Sequence, residues 1–215
     1  NSWNDLFNYL SKVEKFPINL ILASGLAISK DNSDKIYDRF RNRLIVPIHD
    51  MQGRVVAFGG RSLDGQEPKY LNSPESEIFE KGKMLFAFEK ASSNIRKRDK
   101  AIIVEGYFDV ISLHSKGITN SVASLGTALN KYQISQLCRC TDNKNIILNF
   151  DSDNAGILAT KRVIKEVETL SLHDQINLKI LQLSHFKDPD EYLNSHTPED
   201  YFNLIDNSSF WIDWE

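Results

Sequence analysis

Four short apolar runs in the second half of the chain constrain its fold more than any other feature: Ala101–Val104 (AIIV), Ser121–Ala123 within NSVAS, 146–150 (IILNF) and 176–181 (INLKIL). Between them the apolar spacing becomes helical, over 110–115, 131–139 and 155–170. Runs that are apolar at nearly every position belong to strands buried on both faces, and strands alternating with helices build a parallel sheet whose crossovers cover those faces. The expected fold class is therefore α/β. In such sheets ligands bind beyond the carboxyl ends of the strands, so residues just after each run deserve the closest reading.

Carboxylates occupy those positions. Glu105 follows the first run, with Gly106 next and Asp109 in the first turn of the helix beyond; Asp151 and Asp153 follow the third, with Gly156 opening a helix; Asp188 and Asp190 flank Pro189 after the last. Two carboxylates about 4 Å apart repel by about 4 kcal/mol at an effective dielectric of about 20. Six on one rim therefore call for a cation. Oxygen donors alone favour a hard ion such as Mg²⁺, Mn²⁺ or Ca²⁺ over zinc. A structural reading stands beside this one: Asp188-Pro189-Asp190-Glu191 is also a good helix start, with an N-cap, a proline at the first helical position and acids in the first turn.

Other chemistries lack their motifs. Asp151 to Gly156 begins like a calcium-binding EF-hand loop, but Ala155 and Arg162 stand where that loop needs ligands. There is no phosphate-binding P-loop sequence and no His-Glu-x-x-His pair. His49, His114, His173, His185 and His196 are scattered. Cys138 and Cys140 are too close for an ordinary disulfide and have no second pair to complete a zinc site. No apolar stretch is long enough to cross a bilayer. These features lead to the expectation of a soluble protein in a reducing compartment, and the missing initiator Met to that of a fragment.

The first half reads differently. Trp3, Leu6, Phe7 and Leu10 have helical spacing, and a second helix is expected between Pro17 and Gly25. The runs 44–48 and 54–58, joined by Asp50-Met51-Gln52-Gly53, predict a β-hairpin that Gly59-Gly60 should end, with a loop over 62–74. The net charge of −3 hides an asymmetry: residues 34–100 carry 14 basic and 10 acidic side chains, whereas 101–215 carry 9 and 16. A basic segment ahead of an acidic one can meet a polyanion, or can simply be a solvated surface.

Seven blocks in fixed order closely resemble bacterial-type DNA primases of the DnaG family. They are Tyr37-Asp38-Arg39-Phe40-Arg41-Asn42-Arg43, Gly53 to Arg61 (GRVVAFGGR), Pro68 to Pro74 (PKYLNSP), Val104 to Val110 (VEGYFDV), Ala123 to Thr127 (ASLGT), Asp151 to Gly156 (DSDNAG) and Asp188-Pro189-Asp190. Two positions depart from the usual pattern, Ser152 for Gly and Asn154 for Arg. The resemblance implies an RNA polymerase core: a smaller mixed α+β basic subdomain over 1–99, then a Toprim domain over 100–215, whose parallel sheet is flanked by helices. It implies that Glu105, Asp109, Asp151, Asp153, Asp188 and Asp190 bind Mg²⁺, with Mn²⁺ able to substitute. Glu105, Asp109, Asp151 and Asp153 would be catalytic, Glu105 either as a metal ligand or as a base. Arg39, Arg41, Arg43, Arg61, Lys69, Tyr70, Asn72 and Lys81 would hold template phosphates and nucleotides.

The activity implied is template-directed synthesis of short RNA primers during DNA replication. Single-stranded DNA, ribonucleoside triphosphates and an RNA–DNA hybrid product are the expected partners, and a bacterial cytoplasm or an organelle the expected setting. The family's zinc-binding and helicase-binding domains have no counterpart in this stretch, which places zinc and contact with the replicative helicase outside it. Two alternatives share the acids: a Toprim enzyme that cleaves or rejoins nucleic acid, and a scaffold that only binds metal and DNA.

Overall fold

The computed structural model describes residues 3–29, 35–170 and 175–214; His173 lies outside them. It divides into two compact units, 1–80 and 81–215.

In the first unit, α1 (Asp5–Asn8) continues into a π-helical turn at Tyr9–Val13, and α2 (Ile18–Ala23) follows Pro17. The backbone N–H groups of Leu6 and Phe7 donate to the Asp38 carboxylate at 2.9 and 2.8 Å, so a long-range acid caps the first helix. Gly25, at φ 71°, ends α2 in a left-handed conformation. Strands β1 (Ala27–Ser29) and β2 (Ile36–Asp38) form an antiparallel pair. Strands β3 (Arg43–His49), β4 (Val55–Ser62) and β5 (Tyr70–Asn72) form a three-stranded antiparallel sheet in that order.

Two expectations change here. The glycines at 59 and 60 do not end the hairpin, because β4 runs through both to Ser62. A Cβ on Gly60 would lie 2.9 Å from the Phe40 ring and 3.0 Å from Cδ of Arg43, so glycine serves close packing within the strand. The stretch expected as loop also contains β5, which pairs Tyr70 with Arg61 and Asn72 with Gly59.

The second unit is a five-stranded sheet, order β10-β9-β8-β6-β7, made of β6 (Ala101–Val104), β7 (Ser121–Ala123), β8 (Asn145–Asn149), β9 (Asn177–Ile180) and β10 (Ser209–Phe210). The first four are parallel, as their apolar runs predict; β10 adds antiparallel to β9 and has no comparable run. All four side chains of β6 are fully buried, as coverage on both faces requires. Helices α3 (Phe88–Arg98), α4 (Tyr107–Ser115), α5 (Lys131–Cys138), α6 (Asn154–Glu168), α7 (Pro189–Leu193) and α8 (Pro198–Asp206) complete the unit.

The boundary between units precedes α3, whereas the expected boundary of 99/100 follows it. The reason is packing: Phe88, Ala91 and Ile95 of α3 join Ile103, Val122, Leu148 and Leu178 in the core of the second unit. Among the described residues no helix is long and apolar enough to cross a membrane.

Candidate active site

Register brings the acids to one level. Val104 pairs with Asn149, so Glu105 emerges one residue beyond the end of β6 and Asp151 two residues beyond β8. Asp109 is the third residue of α4, and its Oδ2 accepts from the Gly106 N–H at 3.0 Å. Gly106 has an extended backbone, so no left-handed turn demands glycine; a Cβ there would instead crowd Asp109 Oδ2 at 3.0 Å. Asp153 caps α6, Oδ1 accepting from the N–H groups of Ala155 and Gly156, both at 2.9 Å. Gly156 is sterically obligatory, since a Cβ would fall 2.0 Å from the Asp151 carbonyl oxygen.

After β9, Asp188 caps α7 through Oδ1 and the Glu191 N–H at 2.9 Å, with Pro189 at the first helical position. Asp190 Oδ1 accepts from Ser112 Oγ at 2.7 Å, linking α7 to α4. The helix-start reading of this segment and its membership of the acid group therefore both hold in the structure. Asp109, Asp153 and Asp188 each commit one carboxylate oxygen to a helix N-terminus, whose partial positive charge favours an anion.

Asp109 and Asp151 each feel the charges of others among the six acids. Burial first, with the charges of Asp188, Asp151 and Asp190 added, pushes the Asp109 carboxyl up to about 7 against the bond from Gly106. Burial, then the charges of Glu105, Asp188 and Asp153, pushes Asp151 up to about 6, opposed by Lys187. Lys187 Nζ lies 3.7 Å from Asp151 Oδ2. Among the described residues, no three His, Cys, Asp or Glu side chains converge tightly enough to hold one ion as they stand. The group nevertheless fits a hard cation in donor type and in charge, since all six side chains are carboxylates and burial, with the neighbouring charges added, holds Asp109 and Asp151 above the ordinary carboxylate range.

Beneath the rim, the buried Asn149 amide donates through Nδ2 to the Leu181 carbonyl at 3.2 Å and accepts through Oδ1 from the Tyr201 hydroxyl at 2.8 Å. Burial, with the Asp109 charge added, raises the Tyr201 hydroxyl far above its ordinary value and keeps it a donor. Ser152 N–H donates to the Lys187 carbonyl at 3.1 Å, and Ser152 Oγ to the Leu183 carbonyl at 3.4 Å. Sequence reasoning missed Asn149, Tyr201, Lys187 and Ser112. Asn149 left one legible signal, the single amide in an otherwise apolar run.

The basic candidates from Arg39 to Asn72 belong to the first unit, and Lys81 to the second. The structure gives the arginines framework contacts. Arg39 donates through Nε and Nη2 to the Asn72 carbonyl at 3.2 and 2.9 Å, and burial lowers its pKa. Arg43 Nη1 donates to the carbonyls of Gly60 and Lys69 at 3.2 and 3.4 Å. Arg41 donates to the Asp38 carbonyl and lies over the rings of Trp3 and Tyr37, 4.6 and 5.0 Å from their centroids. These contacts hold β5 in place and present Lys69, whose Nζ lies 5.5 Å from the centroid of the half-exposed Tyr70 ring. Arg61 is exposed on β4. Lys81 begins a 3₁₀ turn (Lys81–Lys83) pinned from α5: Gln133 Nε2 donates to the Lys81 carbonyl at 3.2 Å and Asn130 Nδ2 to that of Gly82 at 2.8 Å.

A parallel sheet with Glu at one strand end and Asp-x-Asp at the next is the arrangement of the class of Toprim domains, here preceded by a mixed α+β unit. Residues 102–193 match the family described as Toprim-like, and residues 1–92 match the N-terminal domain of the DNA primase catalytic core. The DNA primase of Synechococcus elongatus is 51% identical over 213 residues, covering 99% of this chain and 31% of that protein. That of Clostridium acetobutylicum is 41% identical over 217 residues, covering 100% and 34%. A DNA primase domain from Pseudomonas aeruginosa superposes with TM-score 0.88 at 36% identity, covering 97% of this chain and 64% of that one. A DnaG primase catalytic domain bound to single-stranded DNA does so with TM-score 0.83 at 32% identity, covering 97% and 66%. The chain belongs to the bacterial DNA primase family, of whose curated members it spans about a third.

Proposed function

We propose that this chain carries out template-directed synthesis of short RNA primers on single-stranded DNA, as the catalytic core of a DNA primase acting in a bacterial cytoplasm. The observation that carries the reading is the gathering of six carboxylates at the strand ends of a Toprim sheet, in a chain whose other unit presents basic and aromatic side chains. Its resemblance to a primase domain solved with single-stranded DNA supports the same template.

In the reaction the 3′-hydroxyl oxygen of the growing strand attacks the α-phosphorus of a ribonucleoside triphosphate, and the bond to the β-phosphate breaks to release pyrophosphate. Glu105, Asp109, Asp151, Asp153, Asp188 and Asp190 would hold Mg²⁺, or Mn²⁺ in its place, which when bound neutralises charge developing on the phosphate oxygens. Exposed Glu105, which caps no helix, can change rotamer at little cost. The caps through Asp153 and Asp188 fix the carboxylates that the helices share with the rim. In the first unit Lys69 and Arg61 would contact phosphates, Tyr70 would stack against a base, and Arg39, Arg41 and Arg43 would keep that surface in shape; in the second unit Lys81 would contact phosphates.

The test is incubation with single-stranded DNA, labelled ribonucleotides and Mg²⁺ or Mn²⁺, beside a Glu105→Gln variant. Short labelled RNA from the wild type that is absent from the variant supports the reading. Template cleavage, or DNA binding without synthesis, overturns it.

A further inference from the structure

We propose that the buried hydrogen bond from Tyr201 to Asn149 positions the acidic rim, as a strut that sets the separation between the loop carrying Asp151 and the segment carrying Asp188. The inference rests on the metal-binding reading above and assigns a role to two residues outside the acid group.

Asn149 ends β8, two residues before Asp151, and is 1% exposed. Its neighbours Ile146, Ile147, Leu148 and Phe150 are apolar and buried, so an amide here is expensive unless every polar atom is satisfied. It is satisfied from two directions. Nδ2 reaches across to the Leu181 carbonyl, just beyond β9, at 3.2 Å, and Oδ1 receives the Tyr201 hydroxyl from α8 at 2.8 Å. Leu181 leads through Leu183 and Lys187, the two residues whose carbonyls bond Ser152, to Asp188.

The amide therefore ties the exit of β8 to the exit of β9 immediately below the carboxylates. Tyr201, fully buried, holds the amide in the orientation that makes this crossing bond. Without the hydroxyl, Oδ1 is left buried with no donor, and the side chain gains by rotating toward another, which breaks the crossing bond to Leu181. Tyr201 also packs its ring against Tyr192 of α7, at 6.1 Å between centroids, so a phenylalanine keeps the packing and loses only the bond.

The experiment titrates Mn²⁺ into the protein, following the electron paramagnetic resonance signal of the free ion well below the unfolding temperature, with urea unfolding measured in parallel. Wild type, Tyr201→Phe and the double variant Tyr201→Phe/Asn149→Leu are compared. Loss of a group that orients metal ligands typically weakens binding at least about tenfold, the change expected for Tyr201→Phe. The double variant removes both polar groups of this pair and should recover much of the urea midpoint, yet its Mn²⁺ affinity should stay low because the bond to Leu181 is gone. If Mn²⁺ affinity is unchanged in Tyr201→Phe, or returns with stability in the double variant, the pair only stabilises the fold and the proposal fails. If Tyr201→Phe alone does not fold, the double variant decides by the same criterion. A wild type that binds no Mn²⁺ overturns the metal-binding reading and the strut with it, whereas wild-type binding that neither variant alters overturns the strut alone.

Discussion

Asp109→Asn removes one negative charge from the rim and leaves the shape of the side chain, including an oxygen able to accept the Gly106 N–H. In the folded protein, burial and the charges of Asp188, Asp151 and Asp190 push Asp109 up to about 7 from an ordinary 3.8. At about 1.4 kcal/mol for each tenfold change in proton affinity, that gap corresponds to about 4 kcal/mol by which ionised Asp109 destabilises the fold. The folded state holds this proton more tightly than the unfolded chain does. The cost is therefore fully present above about pH 7, shrinks as pH falls between about 7 and 4, and is gone below the unfolded value. In chelator at about pH 8 the variant should outlast wild type in urea by several kcal/mol, and the advantage should vanish near pH 4. Added Mn²⁺ should raise the wild-type midpoint far more than that of the variant, since a ligand stabilises only the state that binds it. A variant no more stable than wild type at about pH 8, or an advantage that persists unchanged near pH 4, would refute the reasoning.

Two further outcomes follow from the geometry. Gly156→Ala places a Cβ 2.0 Å from the Asp151 carbonyl oxygen, so it should cost about 3 kcal/mol or more and lower the thermal midpoint sharply; a wild-type midpoint would mean that α6 does not approach this loop as described. Lys69→Ala should weaken single-stranded DNA binding and reduce the slope of log affinity against log salt by about 0.7, the value for one phosphate contact. An unchanged slope would remove Lys69 from the template surface.

What the sequence made legible, and what it concealed, divides along physical lines. The strand Ala101–Val104 was legible because burial on both faces leaves an unmistakable apolar run. The acids were legible because strand ends in a parallel sheet are few and carboxylates there cost energy. Strand β10 was hidden because its two exposed residues carry no pattern. Strand β5 was hidden because it is held by Arg39 and Arg43 from distant positions, contacts that no local spacing records. The glycines of β4 misled because Gly60 answers to the Phe40 ring rather than to a turn. Helix α3 lay between readings, its apolar residues matched to a sheet whose strands all follow it in the chain.

The shared use of the carboxylates bears on how such a domain changes over generations. Asp109, Asp153 and Asp188 each hold a helix end as well as belonging to the acid group, so a duplicated copy under no other constraint would still be held to residues that can accept a backbone N–H. Its drift at these positions should run to asparagine, serine or threonine before alanine, while Glu105, which closes no helix, drifts without that restraint. Such a descendant would then be recognisable by what it kept: three intact helix starts around a rim emptied of charge.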